Sequence, residues 1–67
     1  MAKISAGGDR ETHRWRRESD GAELLLTERG RLLHKVARKG RWKLLMHKVT
    51  DGYAEAQASE RGMNKVV

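Results

Sequence analysis

Cysteine is absent from this chain of 67 residues, as are proline and phenylalanine. Without cysteine, the protein cannot contain disulfide bonds, thiolate metal sites or thiol redox chemistry. Long apolar runs are missing too: "LLL" and "LLM" are the longest, and a membrane-spanning helix needs roughly 18 residues. The start, "MAKISAGGDRETH", has no apolar run that would make a signal peptide or an anchor. We therefore expect a soluble, cytoplasmic protein with a thin core and no membrane partner.

Acidic residues are absent from the middle of the chain. The net charge is +6 and the pI is about 10.3, but Arg29 to Lys48 contains eight Lys and Arg residues and no Asp or Glu. Such a cationic segment is typical of proteins that bind a polyanion. The alternative is surface charge that only promotes solubility, and charge alone favours neither reading.

The segment "GRLLHKVARKGRWKLLMHKV", Gly30 to Val49, fits a sheet better than a helix. In a helix, Trp42, Leu45 and Val49 would lie nearly opposite the other apolar side chains. Gly40 would also lie in the helix interior, where it costs about 1 kcal/mol relative to Ala. A membrane-surface helix needs one apolar side, so this reading is disfavoured.

Three glycine-terminated loops recur at intervals of nine and ten residues: "SDG", "ERG" and "RKG". A type I turn followed by one left-handed residue, usually Gly, is a common three-residue hairpin loop. The loops predict four antiparallel strands, about His13–Glu18, Ala22–Thr27, Arg31–Ala37 and Arg41–Val49. "DGYAEAQASERG" then predicts a helix that starts at Asp51 or Gly52 and ends at Gly62.

The predicted fold class is α+β: a three- to four-stranded antiparallel β-meander followed by one short C-terminal helix. The domain spans residues 12–62, with flexible tails at 1–11 and 63–67. Three-residue loops set a register in which Glu18 pairs with Ala22, Thr27 with Arg31, and Ala37 with Arg41. That register predicts a row of four side chains on one sheet face: Trp15, Leu25, Leu33 and Leu45. We expect this row to be open for an interface or for base stacking. It places Trp42 and His34 on the other, helix-covered face.

Cations flank the predicted row, and we expect them to contact phosphates while the row contacts sugars or bases. A sheet face or β-ribbon enters the major groove of DNA, so DNA is favoured over RNA as the ligand. Arg17, Arg31 and Arg41 are the candidates for reading guanine. The predicted nucleic-acid-binding residues are Arg14, Arg16, Arg17, Arg31, Lys35, Arg38, Lys39, Arg41 and Lys43.

Catalytic motifs are missing from the sequence, which contains no nucleophile elbow, phosphate-binding loop, metal-ligand cluster or paired-carboxylate motif. We predict a protein that is not an enzyme and needs no cofactor or metal.

A homodimer, or an inhibitor that binds an acidic host protein through the same face, is the alternative to nucleic-acid binding.

The segment "DGAELLLTERGRLLHKVARKGRWKLLMHKV" with "TDGYAEAQAS" after it resembles small modules common in actinobacteria and their phages. It is also similar to the sheet-plus-helix DNA-binding modules of plant ethylene-response factors and of integrase arm-binding domains. The resemblance implies DNA binding through sheet residues, here Arg31, Lys35, Arg41 and Lys43. Our leading hypothesis is a phage or bacterial accessory regulator, which would act in the host cytoplasm if a phage encodes it. This chain departs from those families by its fourth strand and its short helix.

Overall fold

A single antiparallel sheet of five strands carries one helix on one of its faces. The computed structural model describes residues 9–66. The strands are β1 (Glu11–Arg16), β2 (Glu23–Thr27), β3 (Leu32–Lys35), β4 (Trp42–Met46) and β5 (Asn64–Lys65), and helix α1 (Asp51–Glu60) lies between β4 and β5 in the chain. The strand order is β4-β3-β2-β1-β5. The predicted α+β class, a β-meander followed by a short helix, is confirmed.

The β2–β3 hairpin forms with the predicted three-residue loop. Gly30 has a φ of 80°, a conformation that glycine adopts without a Cβ penalty. The Thr27 amide donates to the Arg31 carbonyl at 3.1 Å, and Leu25 pairs with Leu33. Both the loop and the register of this hairpin are therefore as the sequence predicts.

The β1–β2 hairpin has a loop one residue longer than predicted. The Arg17 amide donates to the Ala22 carbonyl at 2.8 Å, so residues 18–21 form the loop, with Gly21 at a φ of 76°. The extra residue shifts the register by one, and Trp15 pairs with Leu24 instead of Leu25. A shift of one residue turns every β1 side chain to the other face.

The β3–β4 connection also differs from the predicted loop "RKG". Lys35 pairs with Trp42, which leaves residues 36–41 as the connection, and Gly40 does not have a positive φ. Leu33 pairs with Leu44, and a bulge at Leu45 then brings Leu32 opposite Met46. β4 is therefore in the predicted register at its C-terminal end only.

Helix α1 begins and ends as predicted. The Thr50 hydroxyl caps it by accepting a hydrogen bond from the Tyr53 amide at 3.2 Å. Gly62, with a φ of 70°, follows the last turn. Ala54 and Ala58 face the sheet and are buried. Such small side chains let the helix backbone approach the strands closely.

The hydrophobic core lies between helix α1 and one face of the sheet, which we call the inner face. Fully burying a Leu, as β2 and β3 do here, contributes about 1.5–3 kcal/mol to stability. The core consists of Trp15, Ala22, Leu24, Leu26, Leu32, Val49, Ala54, Ala58 and Met63.

The domain extends beyond the predicted limits at both ends. Met63 is buried, and residues 64–65 form β5 by pairing with Trp15 and Arg16. At the other end Asp9 is 2% exposed and accepts a hydrogen bond from the Arg29 amide at 3.1 Å. Residues 63–66 and 9–11 are thus part of the domain, not of tails; residues 1–8 lie outside the described part of the chain. Within residues 9–66, no helix is long and apolar enough to cross a membrane.

Candidate nucleic-acid interface

The sheet face opposite the helix, which we call the outer face, carries a buried carboxylate surrounded by cations. Glu23 is 5% exposed. Its two oxygens lie 3.1 Å from Arg14 Nη1 and 2.9 Å from Arg16 Nε, and Lys35 Nζ is 3.9 Å away. Cross-strand pairing of Glu23 with Arg16 on one side and Lys35 on the other produces this arrangement. These three predicted phosphate ligands are thus bound to an internal acid.

Trp42 packs beneath two of the same cations. The guanidinium carbon of Arg14 is 5.5 Å from the centre of a Trp42 ring, and Lys35 Nζ is 5.2 Å away. Such cation–π contacts stabilise by about 0.5–1 kcal/mol at exposed sites. Trp42 is half-buried and lies on the outer face, so its predicted place in the helix-covered core is wrong. The β3–β4 register moves it there.

Arg17 and Arg31 are also paired within the domain. Arg17 binds the Asp20 carboxylate at 2.8 Å and donates to the Arg61 carbonyl at 2.8 Å. Its guanidinium, together with the Ala22 amide, lowers the pKa of Asp20 to about 2. Arg31 Nη1 lies 3.5 Å from the buried Asp9 carboxylate. Both arginines hold loops of the fold, which leaves their guanidinium groups less free to contact a base.

The remaining predicted cations are exposed, and no acid of residues 9–66 lies within ion-pair distance of them. They lie close together in sequence, in the β3–β4 connection and in β4, and we call them together the hairpin surface: Arg38, Lys39, Arg41 and Lys43. Lys48, just after β4, is exposed in the same way. Lys48 is not among the residues predicted for the site, although the acid-free run that ends at Lys48 already indicates it.

The connection that carries Arg38 and Lys39 is held against the β1–β2 loop. The Arg38 amide donates to the Asp20 carbonyl at 3.2 Å, and the Gly40 amide donates to the Ala37 carbonyl at 2.8 Å. Gly21 is in close contact with Arg38, because a Cβ added at Gly21 would lie 2.8 Å from the Arg38 Cβ. The backbone of the hairpin surface is therefore positioned by a neighbouring loop, while its charged groups extend into solvent.

The predicted apolar row does not exist as one surface. Trp15 is 3% exposed and belongs to the inner-face core, because the longer β1–β2 loop turns it toward the helix. Leu25 is completely buried and Leu33 half-buried, both on the outer face. Leu45 lies in the β4 bulge and is 43% exposed. Trp15 and Leu25 are thus inaccessible for base stacking or for an interface.

His34 lies on the inner face, as the sequence predicts, and it pairs with Leu24. Burial lowers the pKa of His34 below its usual value, and the positive charges of Arg61 and Arg17 lower it further, with Asp20 acting in the opposite direction. A protonated His34 is therefore less favourable in the folded protein than in the unfolded chain.

The lowered pKa of His34 predicts a loss of stability in mild acid. Stability is complete above the unfolded-state pKa of about 6.5 and falls as the pH drops toward the folded-state pKa, because the unfolded chain binds the proton first. Urea midpoints measured between about pH 7.5 and about pH 5 should fall less in His34→Gln than in the parent protein. His47→Gln is the matched control, since His47 is exposed and has no acid of the described chain beside it. Equal pH dependence of the parent and His34→Gln would contradict the prediction.

Metal-ligating side chains do not cluster in the part of the chain that the structure describes, where no three His, Asp or Glu residues converge. His13 and Asp51 form a pair, with His13 Nε2 and Asp51 Oδ2 3.2 Å apart, which links β1 to the start of the helix. We assign this pair a role in holding the helix on the sheet.

Comparison of the chain with protein-family models, with curated proteins and with solved structures finds no match. The geometry and charge of the hairpin surface are therefore the features from which a function can be inferred.

Proposed function

We propose that this chain is a small, non-enzymatic nucleic-acid-binding protein that contacts phosphates with its hairpin surface. The observation that carries the proposal is the group of exposed cations at Arg38, Lys39, Arg41, Lys43 and Lys48, which have no acidic partner among residues 9–66. In contrast, the cations of the outer face are bound to Glu23. Charge that is left uncompensated in the fold is available to a polyanion.

The shape of the hairpin surface favours duplex DNA. β3 and β4 form a two-stranded ribbon at one end of the sheet, so one side of the ribbon is not covered by another described strand. The major groove of B-DNA is about 12 Å wide and admits such a ribbon, whereas the major groove of A-form RNA is deep and narrow. Arg38 and Lys39 at the tip would reach the phosphates on either side of the groove.

Base recognition would fall mainly to Arg41. Arginine reads guanine through two parallel hydrogen bonds, which requires a free guanidinium group. Of the three arginines that the sequence suggests for this role, Arg17 is bound to Asp20 and Arg31 to Asp9. Arg41 alone of the three is exposed without such a partner in the described chain.

The salt dependence of DNA binding tests this proposal. The logarithm of the affinity should fall linearly with the logarithm of the salt concentration, with a slope of about −0.9 per phosphate contacted. Replacing both Arg41 and Lys43 by Ala should lower the affinity and reduce the slope by about 2. Fluorescence anisotropy with a labelled duplex would measure both, and a single strand and an RNA duplex of the same sequence would rank the ligands.

The matched control is the double variant Arg10→Ala/Lys65→Ala, which removes the same charge away from the hairpin surface. Arg10 pairs with Glu28, and Lys65 lies in β5 at the opposite edge of the sheet. We expect this variant to keep nearly the parent slope. A specific role of the hairpin surface would be refuted if DNA binding by the parent protein were independent of salt, or if the two double variants lost the same affinity for DNA.

A further inference from the structure

β4 is an open edge of the sheet. It pairs with β3 on one side, and no other strand of residues 9–66 pairs with its second side. It is also five residues long, whereas the opposite edge strand, β5, has two. A strand at an edge presents a row of backbone N–H and C=O groups that can pair with another extended chain.

Apolar side chains are exposed along this edge on both faces of the sheet. Leu44, Leu45 and Met46 are each 43–45% exposed, and helix α1 packs mainly against β2, in the middle of the sheet. Beyond the C-terminal end of β4 lies an open groove of about 350 Å³, lined by Met46, Lys48, Val49, Thr50 and Tyr53. The edge therefore combines free backbone groups with a place for an apolar side chain.

Charge selects which chain could add to this edge. β4 and its flanks contain Arg41, Lys43, His47 and Lys48 and no acid. A second copy pairing antiparallel about Leu45 would place Lys43 opposite His47, and a parallel copy would place Lys43 beside Lys43. Like charges directly opposite each other destabilise a strand pair, and edge lysines are a common protection against self-association. An acidic strand would instead gain an opposite charge at each of these positions.

We propose that the β4 edge binds an extended, acidic segment of another protein by strand addition, with an apolar side chain of that segment in the Met46–Tyr53 groove. Backbone hydrogen bonds would supply affinity, and the cations with the groove would supply selectivity. This inference goes beyond nucleic-acid binding. Because Arg41 and Lys43 belong to both surfaces, the acidic segment and DNA would compete.

The test uses a blocked seven-residue peptide in which Glu alternates with Val, and a Lys/Val peptide of the same length as the control. Amide hydrogen exchange of the full chain would be followed by NMR. The Glu/Val peptide should slow exchange of β4 amides, and the Lys/Val peptide should not. Two N-methylated versions of the Glu/Val peptide, one methylated at its odd residues and one at its even residues, should behave differently: one should lose binding and the other should keep it. The reason is that only every second residue of a strand forms hydrogen bonds with a given edge.

Two variants of the protein complete the test. Lys43→Glu should weaken binding of the Glu/Val peptide about tenfold, because it replaces an attraction by a repulsion. Lys65→Glu, at the opposite edge, should leave binding unchanged. The proposal would be overturned if the Glu/Val peptide did not protect the β4 amides, if both N-methylated peptides bound equally, or if the two protein variants lost binding equally.

Duplex DNA separates this proposal from the proposed function. If DNA binds and protects β4 while the peptide does not bind, the edge belongs to the nucleic-acid surface and strand addition is wrong. If the peptide binds and DNA does not, strand addition stands and nucleic-acid binding fails. Mutual displacement of the two ligands would support both.

Discussion

Glu23→Gln should destabilise the domain by about 2–3 kcal/mol, the larger part of what a core of this size usually supplies. Gln keeps the volume of the side chain but removes the charge that Arg14, Arg16 and Lys35 share. Removing one partner of a buried ion pair typically costs roughly 3–5 kcal/mol, because the other charge is left without compensation. Here the cations are partly exposed and can turn toward water, so we expect a loss at or just below the lower end of that range. Urea unfolding followed by tryptophan fluorescence would measure the change, and Tm should fall by about 10 °C or more.

Glu18→Gln is the matched control for this substitution. Glu18 is exposed in the β1–β2 loop and has no ion-pair partner among the described residues, so the same chemical change should alter stability by less than about 0.5 kcal/mol. DNA binding by Glu23→Gln, measured where the variant is folded, should not weaken, because the hairpin surface does not depend on Glu23. Similar stability losses in the two variants would show that the cations around Glu23 do not need its charge.

The central hairpin and the helix could be predicted from the sequence because local chemistry determines them. Gly30 fits a three-residue loop, and the β2–β3 register follows from its length. Thr50 and Asp51 begin the helix, and Gly62 follows it, which is the usual placing of capping residues. At these positions the residue type and the observed backbone conformation agree.

The two outer registers could not be predicted from the positions of the glycines, because the β1–β2 loop has four residues before Ala22 and the β3–β4 connection continues past Gly40 to Arg41. The loop that ends at Gly21 includes Glu18 as well as "SDG", and this extra residue turns each β1 side chain to the opposite face of the sheet. Trp15 moves into the core as a result, and Arg14 and Arg16 come to lie beside Glu23.

The location of the candidate site could be predicted from the charge of the segment, but which of its cations lack an acidic partner could not. The acid-free run from Arg29 to Lys48 gives the location, since β4 and its loop lie inside it. Which cations remain uncompensated depends on acids distant in sequence, such as Asp9 for Arg31 and Glu23 for Lys35. Only the folded registers bring those acids next to their partners.

Gly21→Ala should destabilise the domain by about 2–4 kcal/mol, because two effects combine at this position. The left-handed backbone at a φ of 76° costs an L-residue about 1–2 kcal/mol. In addition, the new Cβ would lie 2.8 Å from the Arg38 Cβ and 3.1 Å from the Arg38 Cα and amide nitrogen.

Relieving the contact at Gly21 requires moving the Arg38 backbone, whose amide is bonded to the Asp20 carbonyl. Gly62→Ala isolates the conformational cost, since Gly62 has a φ of 70° but a methyl group added there would meet no described atom within 4 Å. Urea unfolding of both variants should therefore show a clearly greater loss for Gly21→Ala, and amide exchange should increase in residues 36–41. If the two variants lose the same stability, the contact between Gly21 and Arg38 can shift without a loss of stability. The β1–β2 loop would then not position the hairpin surface.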